Sequence, residues 1–188
     1  MDEEERMLVV RAQRGDPRAF EALVSRYDRR VMGLACDMAG DPEDARDIFQ
    51  ETFLAAYRAL SGFRMESDFF TWLYRIAVNK ALTFRRRNAR ERASVLREGD
   101  RPVEGPPAGS HPDTPEAVVL RAELERQIEA ALGALSPQER MAFALCHRQG
   151  FKVRQAAAFM RCSEGAVKSY LFRAREKAKA ALRKYVEM

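Results

Sequence analysis

The chain has 188 residues, 32% of them charged and 46% hydrophobic, with a net charge of +5 and a pI of about 9.3. That length fits one domain or two small ones, and the basic balance favours a polyanionic partner while saying nothing of fold. No run of about 18 apolar residues exists, so membrane insertion is not expected, and three widely spaced cysteines, Cys36, Cys146 and Cys162, read as reduced thiols and not as a disulfide framework.

The start, MDEEER, has neither the basic nor the apolar stretch of a secretion signal, and a cytoplasmic protein is expected. Strand alternation is absent throughout, and apolar residues recur at spacings of three and four. The expected fold is therefore all-α: two small helical domains, 1–95 and 117–188, joined by a Pro/Gly-rich linker over 96–116. Helix boundaries are marked clearly. Gly15, Asp16 and Pro17 form a stop, an N-cap and a first helical residue, and Gly40, Asp41 and Pro42 repeat the pattern.

The 41–60 stretch, DPEDARDIFQETFLAAYRAL, is amphipathic. Phe49, Phe53, Ala56 and Leu60 make a core face. Asp47, Glu51, Leu54 and Arg58 make another, with Gln50 beside them. One leucine among polar residues can dock a partner helix, although spacing alone favours a solvated charged face. A loop is expected at 61–67 (SGFRMES). The helix predicted over 68–92 begins apolar and ends strongly basic, with Asp68 as its cap. Leu73, Ile76 and Ala77 face a core. Arg75, Asn79, Thr83 and Arg86 share a flank that can hold a nucleic-acid backbone. Trp72 is assigned to the core and not to a stacking platform.

Charge is segregated. Residues 61–97 hold 9 Lys/Arg against 3 Asp/Glu and residues 119–188 hold 14 against 7, whereas 1–60 and 98–118 are both net acidic. Two basic blocks suit a nucleic acid touched at two separated places. The intervening 99–116 carries five of the eight prolines, too many for regular structure.

In the last third, Ser136, Pro137 and Glu139 predict a capped helix over 137–149, ended by Gly150. A short helix at 152–160, a turn, and a long basic helix from 164 predict a helix-turn-helix. Val167, Leu171, Ala174, Ala178 and Leu182 form its apolar stripe. Lys168, Ser169, Phe172 and Arg173 lie off that stripe in the first turns, where a recognition helix meets base edges. Phe172 then either touches DNA or packs on a neighbouring helix. Cys146, His147 and Cys162 lack a fourth ligand and are expected to pack. No catalytic residue, metal or cofactor is expected.

DIFQETFLAAYRALSGFR, FFTWLYRIAVNKAL and EGAVKSYLFRARE, in this order across a Pro-rich linker, resemble the extracytoplasmic-function class of bacterial sigma factors, over about 8–92 and 118–184. The resemblance implies a subunit that binds core RNA polymerase, directs it to promoter DNA and helps melt the duplex. It implies polymerase docking through Asp47, Gln50, Glu51 and Leu54. It implies −10 recognition by the 61–67 loop, with Phe63 and Arg64, and by Asn79, Lys80, Arg85, Arg86 and Arg87. It implies −35 recognition by Lys168, Ser169, Tyr170, Phe172 and Arg173. An anti-sigma factor and a monomeric free state are further implications. Tyr170 stands where many members carry arginine. Arg161 stands where many carry glycine, and a different turn geometry is expected there. The 152–159 stretch lacks the usual acidic pair. Two alternatives remain open: a stand-alone helix-turn-helix regulator, and a sigma-like decoy for an anti-sigma factor.

Overall fold

The computed structural model describes residues 2–95 and 132–186. The 96–116 linker and the first part of the expected second domain lie outside the described residues. All regular structure among the described residues is helical. The helices are α1 (Glu3–Gln13), α2 (Pro17–Ala39), α3 (Pro42–Ala59), α4 (Phe69–Val95), α5 (Pro137–Phe143), α6 (Val153–Met160) and α7 (Glu164–Val186).

The predicted caps form. Asp16 accepts from the Arg18 and Ala19 amides, and Asp41 from those of Glu43 and Asp44. Gly40 closes α2 at φ 108°, a left-handed value that glycine adopts without a Cβ clash. Ser136 and Glu139 form the reciprocal capping box: the Glu139 amide donates to Ser136 Oγ at 3.3 Å, and the Ser136 amide to Glu139 Oε2 at 2.9 Å.

Helices α1 to α4 pack together around Val9, Leu23, Leu34, Met38, Ile48, Leu73 and Val78, all buried. Phe53, Ala56 and Leu60 are buried as expected, with Phe49 half-buried against them. In the second region, Val167, Leu171 and Ala174 pin α7 to α5 and α6. The side chain of Leu182 lies outside the described residues.

Two local expectations are corrected. The helix predicted over 137–149 is not continuous: after Phe143 the chain widens into a π turn, Ala144–Arg148, and the Gln149 amide donates to Ala144 O at 2.9 Å. The turn after α6 does not escape the left-handed geometry. Arg161 itself adopts φ 52°, ψ 48°, and its amide caps the helix on Ala157 O. A Cβ in that region costs about 1 kcal/mol. The demand for a tight turn between α6 and α7 prevails over that cost.

The two regions share one hydrophobic cluster. Helix α4 packs against α5 and α6, and α2 against the π turn. Phe70 and Tyr74 of α4 meet Phe151 and Phe159, with the Tyr74 ring 5.2 Å and 5.0 Å from the latter two.

Candidate DNA and polymerase interface

Three exposed faces emerge. On α7 the buried stripe turns Lys168, Ser169, Phe172 and Arg173 outward together. Phe172 is 65% exposed, the largest exposure of any big apolar side chain described. Among the described residues no helix covers it. Ser169 Oγ donates back to Gly165 O at 3.0 Å, so its hydroxyl is engaged by its own helix. Tyr170 is half-buried against the core and stands at the edge of the face.

The α7 face is braced from behind. Lys177 Nζ meets Glu139 Oε2 at 2.7 Å. Burial disfavours the Glu139 carboxylate, but Lys177 and Ser136 outweigh it and hold the carboxyl below its ordinary range. The cap of α5 is thereby tied to α7. Ser163 caps α7 itself, accepting from the Ala166 amide at 3.1 Å.

The second face lies on α3. Asp47, Gln50, Glu51 and Leu54 are exposed along one side, with Leu54 at 46%. Tyr57, which the sequence reading did not single out, extends this apolar strip at 52% exposure. Its edge rests on Phe20, with ring centres 5.0 Å apart. The spacing of three from Leu54 to Tyr57 was the available signal. At the start of α3, burial first, then the hydrogen bond and charge of Asp41 and the charge of Asp47, push Asp44 up to about 6, against the pull of Arg87.

The third face combines the 61–67 loop with α4. Gln13 of α1 anchors the loop, its Nε2 donating to the carbonyls of Leu60 and Phe63 at 3.0 and 2.8 Å. The Phe63 ring is buried, 4.9 Å from Trp72 and 5.9 Å from Phe69. In this conformation Phe63 thus anchors the loop and does not reach out of it. Trp72 is half-buried in the same stack. Arg64 is exposed at the tip, and Asn79 is exposed one helix face away. Lys80 is ion-paired to Glu51 at 2.6 Å, and this contact, foremost, lowers the Glu51 carboxyl from its ordinary value. A residue of the DNA set thereby meets a residue of the polymerase set. Along the basic tail, Arg85 is half-buried, Arg86 is exposed, and Arg87 lies 5.5 Å from the centre of the Phe84 ring.

These faces sit on matched segments. Residues 23–91 match the family model described as Sigma-70 region 2, and residues 125–177 the one described as Sigma-70, region 4. The RNA polymerase sigma-H factor of Pseudomonas aeruginosa is 39% identical over 183 residues, 96% of this chain and 94% of that protein. The chain belongs to the extracytoplasmic-function sigma factors. A further relative, the ECF RNA polymerase sigma-E factor of Haemophilus influenzae, is 40% identical over 174 residues, 90% of each chain. Among solved structures, CnrH in complex with the cytosolic domain of CnrY aligns with a TM-score of 0.64 at 28% identity, covering 97% of this chain and 99% of CnrH. The sigma factor therefore binds core RNA polymerase and promoter DNA and serves in transcription initiation.

Among the described residues no group of three or more His, Cys, Asp and Glu side chains could hold a metal ion. Burial raises the thiols of Cys146 and Cys162, which pack as half-buried apolar groups, while Cys36 is exposed. No described helix is long and apolar enough to cross a membrane.

Proposed function

We propose that the sigma factor divides its work among the three faces. The α7 face reads the −35 element, with Lys168 and Arg173 to guanine edges or phosphate and Phe172 to a thymine methyl. The observation that carries this reading is the exposed Phe172 between cations on a helix held by buried Val167, Leu171 and Ala174. An apolar ring left in water on a rigid support is suited to being covered by a partner.

The loop of Arg64, with Asn79 and Lys80, captures a −10 base flipped from the stack, which offsets an unpairing cost of a few kcal/mol. Phe63 acts from beneath, fixing the loop. Arg85, Arg86 and Arg87 follow the flanking backbone. Asp47, Gln50, Glu51 and Leu54, extended by Tyr57, dock on the polymerase. The domain bounds are 1–95 and 117–188, with the tether between them. The chain carries no chemistry of its own; the polymerase supplies it. It works in the cytoplasm as a monomer when free.

An anti-sigma factor holds it inactive. Support comes from the family resemblance and from CnrH, which was solved with another protein's cytosolic domain. The decoy alternative is weakened by the intact cationic face of α7.

The test is transcription from a genomic fragment library by core polymerase with and without the sigma factor, mapping new RNA starts. Starts that appear only with the protein and share two upstream elements are expected. Binding to polymerase without any new start would favour the decoy.

A further inference from the structure

Gln13 is the last residue of α1, and it reaches the loop proposed to capture the −10 base. The end of α1 is fixed against α2. Val9 and Ala12 are buried, and Arg11 donates from Nε and Nη2 to Asp16 Oδ2, at 2.9 and 2.7 Å. From this support the Gln13 carboxamide spans 47 and 50 positions of sequence, with Nε2 donating to Leu60 O at 3.0 Å and to Phe63 O at 2.8 Å. A primary amide nitrogen carries two protons, and each has a carbonyl here. The two acceptors bracket the 3-10 turn Leu60–Gly62, which opens the loop and closes with the Phe63 amide on Leu60 O at 3.0 Å.

The loop beyond that turn carries strain. Met65 adopts φ 56°, a left-handed value that is costly for a residue with a Cβ. Such a conformation persists only where the surroundings over-determine it. Three contacts do so. Gln13 ties the backbone, the Phe63 ring lies 4.9 Å from that of Trp72, and the Met65 side chain packs half-buried against the core. Arg64 and Glu66, on either side of Met65, are left exposed.

We propose that Gln13 is a positioning residue for −10 recognition. It holds the 61–67 loop in the shape that receives the flipped base, and it acts through the loop without touching DNA. The inference rests on the −10 reading of that loop. It also brings α1 into promoter selection, although Gln13 lies outside the matched segment 23–91.

A loop already in its receiving shape has little ordering cost left to meet when the base arrives. Without the clamp the Leu60 and Phe63 carbonyls turn to water and Met65 relaxes out of the left-handed region. Arg64 then samples many positions around the base in place of one. Wrong bases are accommodated nearly as well as the right one, so discrimination falls before binding does.

Two variants of the full-length chain separate shape from hydrogen bonding. Gln13→Glu keeps the shape and sets a carboxylate against two carbonyls. Gln13→Met keeps the length and removes the donors. Both are compared with wild type and Asn79→Ala. In the free protein, acrylamide quenching of Trp72, the only tryptophan, reports the loop through its contact with Phe63. Quenching is expected to rise in both Gln13 variants. With core polymerase, transcription starts are selected from a library randomised in both promoter elements. Enrichment of the preferred −10 bases is expected to fall by roughly 3- to 10-fold, the scale of one hydrogen bond, while −35 preference is kept. A merely weakened fold lowers yield from every promoter and leaves both preferences in place. Unchanged quenching in both variants overturns the clamp. Unchanged −10 preference in both, where Asn79→Ala alters it, overturns the role of Gln13 and leaves that of the loop standing. If Asn79→Ala leaves it unchanged as well, the −10 reading falls and this inference with it.

Discussion

The faces on α3 and α7 share one construction and differ in charge. Each exposes apolar side chains, Leu54 and Tyr57 on one and Phe172 on the other, above a buried stripe that fixes the helix. Around Leu54 stand Asp47, Glu51 and Arg58, with Glu51 paired to Lys80; around Phe172 stand Lys168 and Arg173. An apolar contact provides affinity to almost any partner, whereas the sign of the surrounding charge selects which one. In the proposed division the carboxylates beside Leu54 suit a basic protein surface and disfavour DNA. The cationic surround does the reverse. In the proposed division a few charges separate the two faces, and the difference can be broken one side at a time.

The largest effect is expected at Leu54. Leu54→Asp removes the apolar anchor of α3 and adds a like charge, and core polymerase affinity should fall by roughly 30-fold or more, the scale of an interface hot spot. Fluorescence titration with core enzyme measures it, and binding of the α7 face to its promoter element should stay unchanged. Next, Lys168→Ala or Arg173→Ala should cost about 1–3 kcal/mol if the residue reads a base, relaxing specificity at one −35 position. If the residue only holds phosphate, all sequences weaken alike and the salt slope falls by about 1. A set of mutated −35 elements, titrated at several salt concentrations, separates the two.

The support behind α7 gives a smaller, pH-dependent effect. Glu139→Ala removes the capping box and the Lys177 contact, and should destabilise by about 1–2 kcal/mol at pH 7. The native carboxyl lies below its ordinary range. Its stabilisation is therefore complete above the unfolded carboxyl's pKa and is lost as pH falls through the depressed native value. Wild type and Glu139→Ala should converge in acid, which denaturant titrations at pH 7 and in acid would show. The smallest change has the opposite sign: Arg161→Gly relieves the left-handed strain at φ 52° and should stabilise by about 0.5–1 kcal/mol in thermal melts.

Much of this was legible in the sequence because it is local. The caps at Asp16, Asp41 and Ser136, the stop at Gly40 and the outward face of Lys168 and Phe172 follow from spacings within a few residues. The loop set was read less fully. Phe63 lies in the loop but turns inward, because the Phe69 and Trp72 rings offer it burial. The π turn escaped because its residues suit an ordinary helix equally well. Arg161 escaped because a turn forced from both sides can hold a residue that disfavours it. The hydrogen bonds of Arg140 and Gln149 to Asp37 join positions more than 100 residues apart, and no periodicity reports such a pair.

The most direct measurement selects start sites from a randomised promoter library with wild-type, Lys168→Ala and Asn79→Ala sigma factor on the same core polymerase. Separate faces for separate elements predict that Lys168→Ala alters preference only in the upstream element and Asn79→Ala only in the downstream one. Identical profiles for all three, or both variants altering the same element, would contradict that division.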